Sequence, residues 1–212
     1  MADVKICGIS TVDDLTAAHA AGARWVGFVF FPKSPRHLEH DQARLLRDHL
    51  DALVKPPIPV ALVVDADDAL LDQIVAAARP GVIQCHGNES PKRICAIKAR
   101  YGIKVMKAIR VANAESLKAA EAYDGAADMM LFDSAPTGAS LPGGTGHRFD
   151  WGLMQSYEGI TPWMLAGGLN PENVGEAITI SGADAVDVSS GVEESPGNKD
   201  HEAIHRFVSA SL

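Results

Sequence analysis

A thiol and a carboxyl group stand at the ends of two short apolar runs of this sequence. Cys7 closes the run 4–7, and Asp133 follows the run 129–132. If both runs are strands that open onto one pocket, the two groups can form an acid/base pair that moves protons on a bound substrate. Lys5 points to the same side of its strand as Cys7, because side chains two residues apart share a face. The plainer alternatives are a buried, inert cysteine and a carboxylate that stabilises a turn.

Two later turns are rich in glycine and serine and predict an anion site. Gly167 and Gly168 precede a helix start at 170–171, where free backbone N–H groups can face an anion. Further hydroxyl and amide donors follow the next apolar run, namely Ser189, Ser190 and Gly191. Adjacent turns of this kind commonly hold phosphate in barrel enzymes. The same glycines would also suit tight turns that bind nothing.

Polar residues also follow other apolar runs. Arg36 comes directly after Ser-Pro, and its planar guanidinium can hold a carboxylate through two hydrogen bonds unless it is an exposed surface arginine. His86 and Arg110 follow two central runs, and we expect His86 to contact substrate. The longest loop, 134–148, contains Pro-Gly-Gly-Thr-Gly, whose flexible composition suits a lid with Gly144 against the substrate.

A zinc-like motif near the C-terminus does not predict a metal site. Residues 201–205 fit H-E-x-x-H, in which two histidines can bind zinc while the glutamate acts as a base. Zinc sites usually need at least three protein ligands. The remaining residues, 206–212, contain no His, Cys or carboxylate side chain that could complete the set. We therefore expect no metal at this position.

Eight short apolar runs alternate with helical stretches and must position these groups. The runs are rich in valine and isoleucine and mostly lack polar alternation, as strands buried on both faces do. They cover 4–7, 25–30, 60–64, 82–85, 104–109, 129–132, 163–166 and 185–189. Helices are predicted over 12–22, 41–53, 68–78, 91–100, 114–123, 149–157, 171–180 and 201–210.

The repeated strand–helix order predicts parallel strands with right-handed crossovers. Eight such units favour closure into a single (βα)8 barrel with helices outside. A doubly wound sheet is the rival, but no G-x-G-x-x-G follows the first strand. In a barrel, catalytic groups lie at the carboxyl ends of the strands. The residues named above are therefore expected to meet at one rim.

Composition narrows the class of protein. The chain has 212 residues, 47% of them hydrophobic, and a formal net charge of −8. The length suits one domain over 1–212. The negative net charge does not suit a protein that binds nucleic acid through its phosphates. No signal peptide or apolar run of bilayer length is visible, and three scattered cysteines do not form a disulfide scaffold. We expect a cytoplasmic protein without nucleic-acid or membrane partners, and both a monomer and a homodimer stay open.

Eight blocks of the sequence resemble the phosphoribosylanthranilate isomerases of tryptophan biosynthesis. They follow the family's order from about 4 to 207. They read KICG (5–8), GFVFFPKSPR (27–36), QCHG (84–87), KAIR (107–110), LFD (131–133), GGTGHRFDW (143–151), LAGGLNPENV (165–174) and DVSSGVEESPGNKD (187–200). Two departures lie near the fourth run, where Cys85 replaces a frequent leucine and Asn88 a frequent acidic residue.

The resemblance implies a (βα)8 isomerase that uses neither a metal nor an organic cofactor. The implied reaction is the Amadori rearrangement of N-(5'-phosphoribosyl)anthranilate to 1-(o-carboxyphenylamino)-1-deoxyribulose 5-phosphate. Carried over residue by residue, Cys7 becomes the general base and Asp133 the general acid. Arg36 would bind the anthranilate carboxylate, and the turns at 167–168 and 190–191 would bind the phosphate.

Two other functions stay open at this level. A related barrel enzyme would act on indole-glycerol phosphate or on the ribosyl isomerisation of histidine biosynthesis. The histidine enzyme is expected to carry paired aspartates and two phosphate sites, whereas the first strand here ends in Cys7. A non-catalytic ligand-binding barrel is the alternative from another class. The presence of both Cys7 and Asp133 counts against it.

Overall fold

The computed structural model describes residues 1–135 and 149–212, and its main sheet is a closed barrel of eight parallel strands. The strands pair in chain order, and the eighth closes the ring on the first. Their bounds are β1 Asp3–Cys7, β2 Trp25–Phe30, β3 Ile58–Val63, β4 Val82–Cys85, β5 Lys104–Val111, β6 Met129–Ser134, β7 Trp163–Leu165 and β8 Ala185–Val188. The predicted barrel is confirmed.

Helices connect the strands on the outside of the barrel. In the described parts of the chain they are α1 Val12–Ala21, α2 His40–Ala52, α3 Asp68–Ala78, α4 Pro91–Tyr101, α5 Ala114–Ala120, α6 Val174–Ser181 and α7 His201–Ala210. Local signals set their ends: the hydroxyl of Thr11 accepts a hydrogen bond from the N–H of Asp14 and caps α1. Gly22 ends the same helix at φ 92°, a left-handed conformation that suits glycine. No helix within 1–135 or 149–212 has both the length and the apolar character of a membrane span.

The segment after β6 differs from its prediction. The sequence predicts an α-helix over 149–157, but Trp151–Ser156 forms a 3₁₀ helix. The carboxylate of Asp150 accepts a hydrogen bond from the N–H of Gly152, only two residues on, which is a turn contact. Glycine near the start also lowers helix propensity. The segment therefore has the spacing of apolar residues that predicts an α-helix, but it does not have the local geometry of one.

Alternating side chains of the strands enter two separate cores. One lies between the sheet and the helices and contains fully buried residues such as Ile6 and Phe132. The other fills the barrel interior with Trp25, Val60, Val82, Met106, Ala108, Leu131, Met164, Ala166 and Ala185. Three polar residues share strand register with this interior cluster: Lys5 and Gln84 are 0% exposed, and Asp187 is 8% exposed. Polar groups thus lie directly beneath the rim.

A short antiparallel hairpin follows β8 and was absent from the predicted elements. It consists of β9 Glu193–Ser195 and β10 Asn198–Lys199, and Gly197 adopts φ 86° between them. The segment is too polar to register as a buried strand. Its fold nevertheless buries two charged side chains, because Glu193 is 3% and Lys199 0% exposed.

Candidate active site

Cys7 and Asp133 line one cavity at the carboxyl end of the barrel. This central cavity contains about 480 Å³ of empty space, part of it open to solvent. Arg36, His86 and Ser189 line it as well. Parallel strands explain the meeting, because all of them end at the same rim. The structure thus brings together a thiol and a carboxyl group that are distant in the sequence, while their catalytic roles stay predictions.

A second cavity lies between the ends of β7 and β8. This β7–β8 cavity contains about 350 Å³ and is lined by both predicted anion turns, including Gly167, Gly168, Ser189, Ser190 and Gly191. Asp133, Asp187 and Ser189 line both cavities. One bound molecule can therefore extend from the central cavity into the β7–β8 cavity.

Glycine is required at this end of the barrel for reasons of space and backbone conformation. Gly167 and Gly168 adopt φ 88° and 67°, which side chains rarely tolerate. A Cβ at Gly191 would overlap the carbonyl oxygen of Leu169. These turns present bare backbone to the cavity, as a phosphate site needs.

Two asparagines close the turn after β7. The backbone N–H of Asn170 donates to Oδ1 of Asn173 at 2.9 Å, and the backbone N–H of Asn173 donates to Oδ1 of Asn170 at 3.0 Å. Such side-chain bonds compete with helical bonds. For this reason α6 begins at Val174, and the predicted helix start at 171 is wrong.

The thiol of Cys7 lies beside a buried ion pair. Nζ of Lys5 donates to Oδ1 of Asp187 at 2.8 Å. Burial opposes the charge of Lys5, but Asp187 outweighs it and raises the Lys5 pKa, so the ammonium persists. Burial raises the pKa of the Cys7 thiol, and the charge and hydrogen bond of Lys5 offset only part of that rise. Gly27 leaves room for the sulfur, since a Cβ there would lie 2.8 Å from Sγ.

The carboxyl group of Asp133 accepts one backbone hydrogen bond and lies close to His86. Its Oδ1 accepts a hydrogen bond from the N–H of Ser134 at 2.8 Å. Its Oδ2 lies 3.4 Å from Nε2 of His86. Across the described ranges, no lysine or arginine comes within ion-pair distance of this carboxyl group. Asp133 is therefore oriented without a strong counter-ion.

Arg36 is largely buried and is not a surface arginine. Its side chain is 11% exposed, and its Nε and Nη2 donate to the two carboxylate oxygens of Glu193, each at 2.7 Å. Glu193 also accepts a hydrogen bond from Lys199 at 2.7 Å. Burial raises the pKa of Glu193, but its bonds to Arg36 and Lys199 outweigh that effect and lower the pKa. The predicted bidentate carboxylate partner of Arg36 is present, but it belongs to the protein itself.

The other predicted residues have different outcomes. His86 is 6% exposed and borders the central cavity, whereas Arg110 is exposed at the end of β5. Gly144 and nearly all of the predicted lid, 136–148, lie outside the described residues. The first histidine of the zinc-like motif, His201, contacts Asp14 at 2.9 Å, and the residues that can be described form no cluster of metal ligands.

Sequence reasoning missed several buried charges of the rim. Asp187 precedes Ser189 by two residues and therefore points to the same side of β8, a signal that the sequence did contain. Glu193 and Lys199 gave no such signal, because their burial depends on the hairpin. Gln84 stood only within a sequence block and was not singled out.

Comparison with known proteins gives the relationship of this chain. The profile of the family described as N-(5'phosphoribosyl)anthranilate (PRA) isomerase matches residues 4–210. The chain belongs to this family. A relative from Parvibaculum lavamentivorans, named N-(5'-phosphoribosyl)anthranilate isomerase, is 52% identical over 211 residues, which cover 98% of this chain and 97% of the relative.

Solved structures of the family share the barrel. A phosphoribosyl anthranilate isomerase in complex with reduced 1-(o-carboxyphenylamino)-1-deoxyribulose 5-phosphate has a TM-score of 0.83 and 33% identity, covering 100% of this chain and 98% of that one. Monomers derived from the dimeric phosphoribosylanthranilate isomerase of Thermotoga maritima give the same TM-score, identity and coverage. The chain is therefore an isomerase of tryptophan biosynthesis, which decides against the non-catalytic barrel and the histidine-pathway enzyme.

The rim offers a site with two ends. One end is the β7–β8 cavity with its glycine turns, and the other is the Arg36 side of the central cavity. Cys7 and Asp133 lie on the central cavity, and Asp133 borders both. The arrangement can hold two anionic groups while the thiol of Cys7 and the carboxyl group of Asp133 line the cavity between them.

Proposed function

We propose that Cys7 and Asp133 isomerise N-(5'-phosphoribosyl)anthranilate by general acid/base catalysis. The observation that carries this proposal is that both side chains line the central cavity. Both residues are also nearly buried, at 4% and 6% exposure. Water is therefore largely excluded from them, which strengthens their electrostatic effect on a bound molecule. Each proton transfer of this kind contributes roughly 10²–10⁴ in rate.

The reaction needs proton transfers at two substrate atoms. Asp133 donates a proton to the furanose ring oxygen, the bond from that oxygen to C1' breaks, and a protonated imine remains at C1'. The imine acidifies the neighbouring C2'–H bond because it accepts the electron pair. The thiolate of Cys7 removes that proton and gives an enolamine, which tautomerises to the ketone. Lys5 stabilises the thiolate, because its ammonium lies beside the sulfur and lowers the thiol pKa.

Two anionic groups of the substrate fix its orientation in this proposal. The turns at Gly167, Gly168, Ser190 and Gly191 bind the phosphate in the β7–β8 cavity. Arg36 binds the anthranilate carboxylate through Nη1, since its Nε and Nη2 already donate hydrogen bonds to Glu193. His86 and Ser189 complete the polar lining.

The cellular setting follows from the same assignment. We infer that residues 1–212 act as one catalytic domain in the cytoplasm, on a small-molecule substrate and without nucleic-acid or membrane partners. The net charge of −8 supports the exclusion of nucleic acid. Monomer and homodimer both fit the sequence, and sedimentation velocity on the purified chain separates them.

Substitution of the two proton-transfer groups tests the mechanism. We expect Cys7→Ser and Asp133→Asn each to lower kcat by more than about 10²-fold with little change in thermal stability. The readout is the change in anthranilate fluorescence on turnover. Cys95→Ser is the matched control, because that thiol is exposed and should leave kcat unchanged. A rate near wild type in either active-site variant would remove that residue from its role.

The carboxylate end has a separate test. Arg36→Ala should raise KM more than it lowers kcat, because the arginine orients the ground state and does not move a proton. Steady-state kinetics over a wide substrate range measure both constants. An unchanged KM would assign Arg36 to structure alone.

A further inference from the structure

A buried glutamine lies behind His86 inside the barrel. Gln84 is 0% exposed, and its Nε2 lies 3.0 Å from Nδ1 of His86. The opposite ring nitrogen of His86, Nε2, lies 3.4 Å from Oδ2 of Asp133. We call these three side chains the Gln84 relay: Gln84 is within hydrogen-bond distance of His86, and His86 lies close to the proposed acid without a hydrogen bond to it.

We propose that Gln84 sets the tautomer of His86 and that His86 in turn positions Asp133. A neutral imidazole has one N–H and one acceptor nitrogen. The amide N–H of Gln84 faces Nδ1, so Nδ1 accepts a hydrogen bond and the ring proton resides on Nε2. Nε2 lies 3.4 Å from Oδ2 of Asp133 but makes no hydrogen bond in this structure, so the two groups must turn towards each other before the Nε2–H can donate. Gln84 and His86 are thus positioning residues, and this inference rests on the proposed role of Asp133.

The relay acts when the acid has given up its proton. The carboxylate that forms needs donors on both oxygens, because it is nearly buried and has no lysine or arginine partner in the described ranges. The N–H of Ser134 donates a hydrogen bond to Oδ1 at 2.8 Å. In the proposed relay, the Nε2–H of His86 donates to Oδ2 after the imidazole and the carboxylate turn towards each other, because the two atoms are not hydrogen-bonded in this structure. This donor then stabilises the carboxylate that Asp133 becomes after it has given up its proton.

Packing alone does not explain a glutamine at this position. Its Oε1 is buried and has no hydrogen-bond partner among the residues described by the structure. A buried polar atom without a partner destabilises a fold. The neighbouring strand carries Met106 at the register position of Gln84, also fully buried, so an apolar side chain of similar length fits this layer. The amide therefore has a role that the apolar neighbour cannot supply.

The loop that carries His86 is held in place by a second buried ion pair. Nζ of Lys107 contacts Oε2 of Glu89 at 2.9 Å and the carbonyl oxygen of Gly87 at 2.6 Å. Glu89 also accepts hydrogen bonds from the N–H of Gly87 and the N–H of Asp65. These contacts fix the backbone directly after His86. The orientation of the imidazole is then decided by its two side-chain neighbours.

The Gln84→Met variant is the first test. We expect kcat to fall by about 10- to 100-fold, the effect of one hydrogen bond to a charged group, with KM within about twofold of wild type. Thermal stability should hold or rise, because methionine removes the unpaired oxygen. Met106→Leu is the matched control from the same layer and should change neither constant. In an Asp133→Asn background, Gln84→Met should have no further effect.

Nitrogen NMR on the wild-type protein supplies a readout that does not depend on activity. With ¹⁵N-labelled histidine, the His86 signals should show a protonated Nε2 and an unprotonated Nδ1, and Gln84→Met should mix the two tautomers. His86→Gln identifies these signals among the eight histidines. A proton on Nδ1 in the wild type, or a Gln84→Met enzyme with wild-type kcat, would overturn the relay. Failure of Asp133 itself appears separately, as an Asp133→Asn enzyme that keeps its rate.

Discussion

The two sides of the rim hold their reactive groups by different means. On the β1–β8 side, Cys7 lies beside a buried ion pair, in which Nζ of Lys5 is 2.8 Å from Oδ1 of Asp187. On the β4–β6 side, Asp133 contacts His86 and a backbone N–H. The first side has an ion pair directly beside its reactive group, whereas the second has a backbone N–H and an imidazole there. The difference suits the two proposed roles: a base needs help to lose its proton, whereas an acid must hold its proton until the substrate takes it.

The charged side extends beyond the thiol. Arg36, Glu193 and Lys199 form a second set of buried charges next to the central cavity. Burial lowers the pKa of Lys199, and the carboxylate of Glu193 offsets only part of that effect. Each buried charge here has a partner, which is the condition for keeping such groups in a low-dielectric interior. Breaking one pair should therefore affect both stability and substrate handling.

Lys5→Met should have the largest effect on stability of any change on the charged side. It leaves Asp187 buried without a partner, so we expect the free energy of unfolding to fall by about 3–5 kcal/mol. The rate should fall as well, by more than about tenfold, because the thiolate loses its nearest cation. Urea unfolding and anthranilate fluorescence measure the two effects.

The double variant Lys5→Met/Asp187→Leu separates the effect on stability from the effect on the rate. Replacing both charges by apolar side chains should restore most of the stability while the rate stays low. If the double variant regains wild-type kcat, the ion pair serves only the fold, and the contrast between the two sides of the rim disappears.

Glu193→Gln should come next in size. The variant removes the counter-charge of two cations, so KM should rise about tenfold as Arg36 loses its orientation, with kcat less affected. The pKa of Glu193 is lowered in the fold, so its ionisation contributes stability above about pH 4.5 that is lost as the pH falls. Between pH 5 and pH 3 the wild type should therefore lose more stability than Glu193→Gln. Equal acid sensitivity of the two proteins would contradict this assignment.

The contrast between the two sides was only partly visible in the sequence. The eight strands, the glycine turns and the meeting of Cys7 with Asp133 follow from local patterns, because apolar period and chain order determine a parallel barrel. The ion pairs do not follow from such patterns. Lys5 and Asp187 are 182 positions apart, and Arg36 and Glu193 are 157 apart, so no local pattern links them. Their pairing depends on barrel closure and on a polar hairpin that resembles a loop.

A direct titration of the Cys7 thiol should give a smaller, more specific effect. In a variant that keeps only this cysteine, absorbance of the thiolate should appear above pH 9, because burial raises the thiol pKa. Adding Lys5→Met should move the titration to still higher pH, since Lys5 lowers the thiol pKa. A shift to lower pH would show that the ammonium does not favour the thiolate.

Cys85 provides the weakest effect and a comparison for Cys7. Burial raises the pKa of Cys85 to about 12, and the opposed charges of Glu89 and Lys107 change this little. A thiol that titrates near 9.0 when unfolded then loses its proton in the unfolded chain first, so stability falls with rising pH by about 1.4 kcal/mol per unit above 9. Cys85→Val should abolish this pH dependence. Because the unfolded thiol is already half ionised at pH 9, the variant should gain about 1 kcal/mol on wild type between pH 9 and pH 10 under reducing conditions. Urea unfolding at both pH values measures the gain. Its absence would mean that Cys85 ionises as readily in the fold as outside it, and burial would then not explain the protonated state of Cys7 either.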